Sequence, residues 1–403
     1  MEKNEKWIKP RHRIVRDILC PILGTYTRIA YNVKVEPFRE QGDRAYLILM
    51  NHQTPLDQFF VAMAFKGPVY YMATEDLFSN GWISSVIRWL VEPIPIKKQT
   101  SDINAVRNCI RVARAGGTIA MAPEGNRTYS GRTEYINPSI GGLARKLKLP
   151  IALLRIEGGY GVEPRWSNVT RRGKMRAYVS QVIEPEDYAS MTSDELAQKI
   201  TEGLYVDEAV ADSLFRSKKK AEYLERAMYV CPFCGLSEFE SHGNTAHCRK
   251  CGREVVYGED KTLTGQGFEF PFRFVRDWYD YQKDFVNGLD LTAMTAEPIY
   301  TDRAQMREVI FNKRKELLRK DTQIRLYGDR VVLDEGTEQE LCLPFEELSA
   351  VTVLGRNKLN LYHNKKAYQF KGDVRFNALK YVNFYYRHKN IVRGNEDGKF
   401  LGL

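Results

Sequence analysis

The sequence predicts an α/β domain, then a compact cysteine-bearing element, then a small β domain closed by a helix. Three observations predict this order. Strand–loop–helix units recur between residues 45 and 183, two C-x-x-C pairs fall within residues 231–251, and short apolar runs separated by turns follow residue 320. A chain of 403 residues is also too long for one ordinary domain.

In chain order, residues 7–34 come first. Ile14, Val15, Ile18, Leu19, Ile22 and Leu23 recur at helical spacing behind Lys9, Arg11, Arg13 and Arg16, and Pro21 is expected to interrupt or bend the helix. The pattern suits an apolar face laid into a bilayer interface, and equally a core-facing helix with a solvated basic side. Tyr46–Met50 reads as a buried strand, and Thr54-Pro55 as a cap followed by proline at the first position of an apolar helix. Strands are expected at 68–73, 118–121, 151–156 and 176–183, with a helix at about 102–115. A polar Lys/Glu-rich helix is expected over about 193–228, and a short amphipathic helix over 272–289. The last part holds strand-like pieces at 324–327, 330–333, 350–354, 358–362 and 367–370, then a helix containing Leu379, Tyr381, Val382, Phe384 and Tyr385.

Hydrophobic residues make up 43% and charged residues 28%, a globular balance. No apolar run reaches the ~18 residues of a spanning helix. The start, with Glu2, Lys3, Glu5 and Lys6, lacks the apolar core of a signal peptide, so a cytoplasmic, non-spanning chain is expected. The formal charge of +10 favours anionic partners without choosing between nucleic acid and an anionic lipid surface. Cys231, Cys234, Cys248 and Cys251 have the spacing of a tetrahedral Zn²⁺ site, and four thiolates would close its coordination, making it structural. His242 and His247 do not improve that spacing.

Two constellations could carry chemistry. In Asn51-His52-Gln53-Thr54-Pro55-Leu56-Asp57, His52 sits on a strand-to-helix loop and Asp57 in the first turn of the helix. The imidazole can fold back onto the carboxylate, which would fix its tautomer and leave the other nitrogen to take a proton. The same residues could instead serve as a cap and a structural histidine. After the strand at 118–121 comes Ala122-Pro123-Glu124-Gly125-Asn126-Arg127-Thr128, a tight turn whose Arg127 suits bidentate phosphate contact, or a turn and nothing more.

Together these segments resemble the 1-acyl-sn-glycerol-3-phosphate acyltransferase family and the wider glycerolipid acyltransferases, over about residues 30–190. That family carries Asn-His-x-x-x-x-Asp, then Ile-x-Val-Asp-Arg, then Phe-Pro-Glu-Gly-Thr-Arg-Ser, then a proline-containing apolar strand. His52 and Asp57 match the first block, and Pro123, Glu124, Gly125 and Arg127 the third. Ile94-Pro95-Ile96-Lys97-Lys98 stands where the second is expected, and Leu149-Pro150-Ile151 where the fourth is. The resemblance implies a mixed sheet with flanking helices and an acyl transfer from acyl-coenzyme A or acyl carrier protein to a lysophospholipid, foremost lysophosphatidic acid to phosphatidic acid. His52 would be the general base and Asp57 its orienting acid. Glu124, Asn126 and Arg127 would position the glycerol-phosphate end, and Lys98 would reach the phosphate. Backbone N–H groups near Gly125 would stabilise the oxyanion. Ala122, Asn126 and Lys98 replace the family's usual Phe, Thr and Arg, which bears on the acceptor's headgroup.

A lipid substrate favours the interfacial reading of the N-terminal segment, and of Trp82, Val86, Trp89 and Leu90, on an enzyme peripheral to the inner face of the membrane. The expected divisions are a membrane-interface segment at 1–34, the acyltransferase domain at 35–214, a helical linker and zinc ribbon at 215–258, a helical connector at 259–318, and a β domain at 319–403 with a faint pleckstrin-homology-like resemblance. Nucleic acid is not an expected partner, because the ribbon offers few aromatics for stacking, mainly Phe233 and Phe239. The rival reading is a non-catalytic lipid- or nucleic-acid-binding protein on an acyltransferase-like shell.

Overall fold

The computed structural model describes residues 7–96, 102–210, 213–310, 313–395, 398 and 401. They form two compact units, one of residues 1–164 and 170–216, the other of residues 165–169 and 217–403.

The first unit opens with α1 (Pro10–Tyr31) and β1 (Val33–Val35), followed by β2 (Leu47–Met50), α2 (Asp57–Ala64), β3 (Val69–Thr74), α3 (Trp82–Val91) and β4 (Ile94–Ile96). It continues with α4 (Ile103–Arg114), β5 (Thr118–Met121), α5 (Ser139–Leu147), β6 (Ile151–Glu157), the single turn α6 (Gly159–Val162), β7 (Met175–Ile183), the short α7 (Pro185–Tyr188) and α8 (Ser193–Leu204). The sheet runs β1-β7-β6-β2-β5-β3-β4. It is mixed: β6, β2, β5, β3 and β4 are mutually parallel, and β7 is antiparallel to β6.

Parallel strands covered on both faces read as unbroken apolar runs, and β2 shows why. Leu47 and Leu49 face a core shared with α4, α5 and α8, while Ile48 and Met50 face a second core shared with α2. Because β2, β5 and β6 are parallel, the loops after Met50, Met121 and Glu157 emerge at one edge of the sheet.

Two expectations for this unit need correction. Helix α1 runs through Pro21 as one element, so of the interruption or bend expected there the interruption does not occur. Of its two readings the core-facing one does not hold: His12, Gly24, Thr27 and Tyr31 face the protein, while Ile14, Ile18, Ile22, Tyr26 and Ile29 lie exposed. Gly24 faces Met63 of α2, where a Cβ would make ordinary contact at 3.4 Å. The long helix expected over 193–228 ends at Leu204. Val206 then bonds to Thr133, Asp207 bridges Arg132 and Arg216 bridges Arg172, so tertiary pairing overrides the helix propensity of the lysine-rich stretch. Past the first unit, the only helical residues before 228 are one short turn, Leu224–Arg226.

In the second unit, β8 (Val230–Cys231) and β9 (Gly235–Leu236) form one knuckle, and β10 (Phe239–His242), β11 (Thr245–Cys248), β12 (Glu254–Tyr257) and β13 (Leu263–Gly265) form an antiparallel sheet. Helix α9 (Val275–Asn287) packs on it through Trp278, whose indole bonds to the Val230 carbonyl at 2.8 Å and meets Phe239 edge to face. Then come β14 (Tyr300–Glu308), β15 (Glu316–Leu326), β16 (Arg330–Leu333), β17 (Leu341–Pro344), β18 (Leu348–Leu354), β19 (Lys358–His363), β20 (Lys366–Gly372) and the closing α10 (Leu379–Val392). The sheet order β17-β16-β15-β14-β20-β19-β18 is compatible with the pleckstrin-homology-like resemblance. The stretch 259–318, expected as a helical connector, also holds β13, β14 and the start of β15. Strand β14 escapes notice because its alternation is sparse, with only Tyr300, Ala304 and Met306 buried among charged neighbours.

Candidate active site

The loop after β2 carries the first constellation. Asn51 anchors it: its amide bonds both the N–H (2.7 Å) and the carbonyl (2.8 Å) of Ile156, tying the end of β2 to β6. The chain then folds around one carboxylate. Asp57, fully buried at the start of α2, accepts from Gln53 N (2.7 Å), Thr54 N (2.9 Å) and Thr54 Oγ1 (2.7 Å). Its place at a helix N-terminus further favours the negative charge. Leu56 N donates to Thr54 Oγ1 at 3.1 Å, so Thr54 caps a turn that precedes the helix, which begins at Asp57 and not at Pro55.

His52 Nδ1 lies 2.8 Å from Asp57 Oδ2. A carboxylate can only accept, so Nδ1 carries the proton and Nε2 holds the lone pair. The His52 side chain is 26% exposed against 0% for Asp57, so the pair sits with its acid buried and its imidazole at the surface. Nε2 makes no hydrogen bond among the described residues. The geometry is that of a base steadied by an acid.

The turn after β5 lies beside it. Glu124 is 8% exposed, and burial, the dominant cause, pushes its carboxyl up to about 8. Its Oε1 accepts from His52 N and its Oε2 from Glu134 N, both at 2.8 Å. Gly125 takes φ +71°, the left-handed region open to glycine, with nothing within 4 Å of where a Cβ would stand. Its N–H donates to Ala122 O at 3.0 Å, so the donor that the sequence offered to an oxyanion at Gly125 is engaged in closing the turn. Asn126 and Arg127 are buried in the same turn, and Thr128 N–H reaches the His52 carbonyl at 3.4 Å. Lys98 lies outside the described residues.

Sequence reasoning passed over two neighbours. Gly159, after β6, allows close approach to the base loop: a Cβ there would stand 2.5 Å from Gln53 Cβ. Gln53 itself is buried with neither polar atom of its amide paired. The Gly158-Gly159 pair following a strand was the available signal.

In the second unit the Sγ atoms of Cys231, Cys234, Cys248 and Cys251 all lie within 4.8 Å of one another. Four thiolates around a tetrahedral Zn²⁺ at ~2.3 Å would stand about 3.8 Å apart. Cys231–Cys251 at 3.8 Å and Cys234–Cys248 at 3.5 Å fit that figure. Gly235 and Gly252 turn the chain under the sulfurs at φ +76° and +72°. His242 and His247 stand by Glu240, outside the cluster.

The acyltransferase family model matches residues 31–156, which contain both constellations. The chain carries an acyltransferase domain. The chain is 22% identical over 166 residues to the 1-acyl-sn-glycerol-3-phosphate acyltransferase of Bacillus subtilis (strain 168), covering 40% of this chain and 79% of that one. It is 21% identical over 169 residues to 1-acyl-sn-glycerol-3-phosphate acyltransferase BAT2, chloroplastic, of Brassica napus, covering 40% of this chain and 47% of that one. Among solved structures, the 1-acyl-sn-glycerophosphate (LPA) acyltransferase PlsC of Thermotoga maritima aligns with TM-score 0.41 and 20% identity, over 49% of this chain and 82% of that one.

Proposed function

We propose that this acyltransferase moves a fatty acyl group from a thioester donor, acyl-coenzyme A or acyl carrier protein, to the hydroxyl of a lysophospholipid, with lysophosphatidic acid as acceptor and phosphatidic acid as product. The observation that carries the reading is the 2.8 Å contact between His52 Nδ1 and Asp57 Oδ2, with Nε2 on the exposed side.

His52 Nε2 takes the hydroxyl proton as the acceptor oxygen forms its bond to the thioester carbonyl. The carbon–sulfur bond then breaks, and the imidazolium returns the proton to the leaving thiolate, so ester and free thiol are the products. Asp57 stabilises the imidazolium between these steps. Arg127 and Lys98 are assigned to the acceptor's phosphate. General-base catalysis is typically worth ~10²–10⁴ in rate.

A lipid acceptor requires access to a bilayer. No helix among the described residues is long and apolar enough to cross one. The exposed stripe of α1 and the exposed Trp82, Ile83, Val86 and Trp89 of α3 are assigned to the interface, on the cytoplasmic face. Three cations expected to meet headgroups are instead tied within the protein: Lys9 to Glu92 (2.6 Å), Arg11 to the Trp89 carbonyl (3.0 Å) and Arg16 to the Phe65 carbonyl (2.8 Å). Arg13 and Arg28 remain for an anionic surface. Zinc at the four cysteines is assigned a structural role.

Thioester consumption with lysophosphatidic acid, comparing wild type with His52→Ala, tests the proposal. A fall of at least ~10² in turnover is expected. Equal turnover would overturn the base assignment, and no wild-type turnover with any lysophospholipid would overturn the function.

A further inference from the structure

We infer that Glu124 serves the reaction through His52 and not through the acceptor: its carboxylate is a clasp that fixes the backbone from which the base projects. The inference deepens the proposed function, since it assigns a positioning residue to the same site.

The argument starts from backbone accounting. A buried N–H needs a partner, and strand ladders or helices usually supply it. His52 lies between the end of β2 and the start of α2, beyond both. Asn51 is held by β6, and Gln53 and Thr54 spend their N–H groups on Asp57. The N–H of His52 is satisfied by Glu124 Oε1 at 2.8 Å, across 72 positions of sequence. In the next peptide unit, Thr128 N–H meets the His52 carbonyl at 3.4 Å. The turn after β5 therefore grips the base residue at both of its backbone groups.

The carboxylate has little left to offer an acceptor. Its second oxygen takes the N–H of Glu134 at 2.8 Å, and the residue is 8% exposed. A glycerol hydroxyl could bond to it only by displacing a backbone donor, which would then be buried without a partner. The need for two acceptors also explains the residue type. The ionised carboxyl accepts at both oxygens, the form it takes above the value of about 8 to which burial raises it, whereas a glutamine accepts at one and turns an NH₂ group against the other donor at any pH. An aspartate keeps both acceptors and the charge but is one methylene too short to span from the β5 turn to both N–H groups. A substrate-binding carboxylate would face the open groove and tolerate aspartate better than glutamine.

The two roles separate in measurement. In Glu124→Gln at about pH 9, where the wild-type carboxyl is ionised, kcat with lysophosphatidic acid is expected to fall about 10–100-fold while the acceptor KM stays within about twofold, since positioning errors act on the chemical step. In the free full-length protein labelled with ¹⁵N-histidine, the His52 ring signals, assigned by their absence in His52→Ala, are expected to shift or broaden in Glu124→Gln. Glu124→Asp is expected to behave likewise, and it supplies the comparison should the glutamine variant not fold. His52 signals unchanged from wild type, together with an acceptor KM raised about tenfold at constant kcat, would overturn the inference in favour of direct acceptor contact. The spectroscopic arm uses no substrate, so it still decides the clasp if wild type proves inactive on lysophospholipids, a result that would count against the proposed function alone.

Discussion

Replacing Asp57 with asparagine tests whether charge or shape holds the base. Two sets of donors converge on the carboxylate. His52 Nδ1 (2.8 Å) and Gln53 N (2.7 Å) reach Oδ2, while Thr54 N (2.9 Å) and Thr54 Oγ1 (2.7 Å) reach Oδ1. An amide must turn its NH₂ to one side. Turned toward His52, it donates to Nδ1, drives the ring proton to Nε2 and occupies the base, a tautomer error worth about 10⁴ in kcat where it has been measured in a comparable dyad. Turned toward Thr54, it opposes one backbone N–H, but the hydroxyl can rotate to accept, so this orientation costs less. His52 then keeps its tautomer and loses only the charge-assisted part of its bond. Such bonds are worth about 1.5–3 kcal/mol and roughly twice their neutral equivalents, so the loss is about 4–13-fold. A mixture of the two orientations predicts a fall in kcat between ~4 and 10⁴, the larger figure as the flipped tautomer dominates. The assay is thioester loss under saturating lysophosphatidic acid, with circular dichroism to show that the variant is folded. A folded variant with kcat within threefold of wild type would refute the claim that the acid matters to the imidazole.

Three further outcomes are expected. Because burial holds the folded Glu124 carboxyl protonated up to about 8 while the free carboxyl titrates near 4.5, the folded chain binds more protons between those values. This group therefore lowers stability as pH rises across that window, by up to roughly 5 kcal/mol, with the charges of Asp57 and Glu134 adding to the effect. Denaturant midpoints should fall less steeply with pH in Glu124→Gln, and an unchanged slope would contradict the burial argument. Metal analysis of purified protein should find about one zinc per chain, and Cys248→Ser should lose it and lower the unfolding temperature; full metal content in that variant would exclude the four-cysteine site. Ile18→Asp, at a position 59% exposed, should leave the fold intact and weaken liposome flotation by about 10–100-fold, from the ~1.5–3 kcal/mol of burying one isoleucine. High salt should matter little, because Lys9, Arg11 and Arg16 are already paired within the protein; flotation abolished by salt but not by Ile18→Asp would reverse this account.

Local features of this fold could be read from the sequence, and long-range ones could not. Tyr46–Met50 is recognisable because a strand covered on both faces has no polar side to break the run. The four cysteines are recognisable because two knuckles impose their own spacing. Strand β14 is hidden because its place depends on backbone ladders with β15 and β20, which leave few marks on a charged segment. The end of α8 is misjudged for the same reason: what stops it is pairing with residues 132, 133 and 172, which composition does not show. Helix α1 presents a different difficulty. A stripe of isoleucines at helical spacing looks the same whether it faces a core or a bilayer. What decides its direction is the opposite face, where His12, Gly24 and Thr27 make the contacts with the protein.

The same division runs through the candidate site. His52 and Asp57 are legible as a pair because five residues and one loop bring them together. Glu124 is legible as a residue type and illegible as a role, since its partner lies 72 positions away and is a backbone N–H with no sequence signature. Yet the fold makes that contact necessary. Parallel β2 and β5 deliver their C-terminal loops to one edge, the first loop has an N–H with no ladder partner, and the second arrives with a buried carboxyl that meets it. An exposed base needs a rigid backbone beneath it, and a loop with no ladder of its own must borrow that rigidity from the neighbouring strand. On the clasp inference the carboxylate of the second constellation supplies it, which would make the two constellations one machine although they share no stretch of sequence.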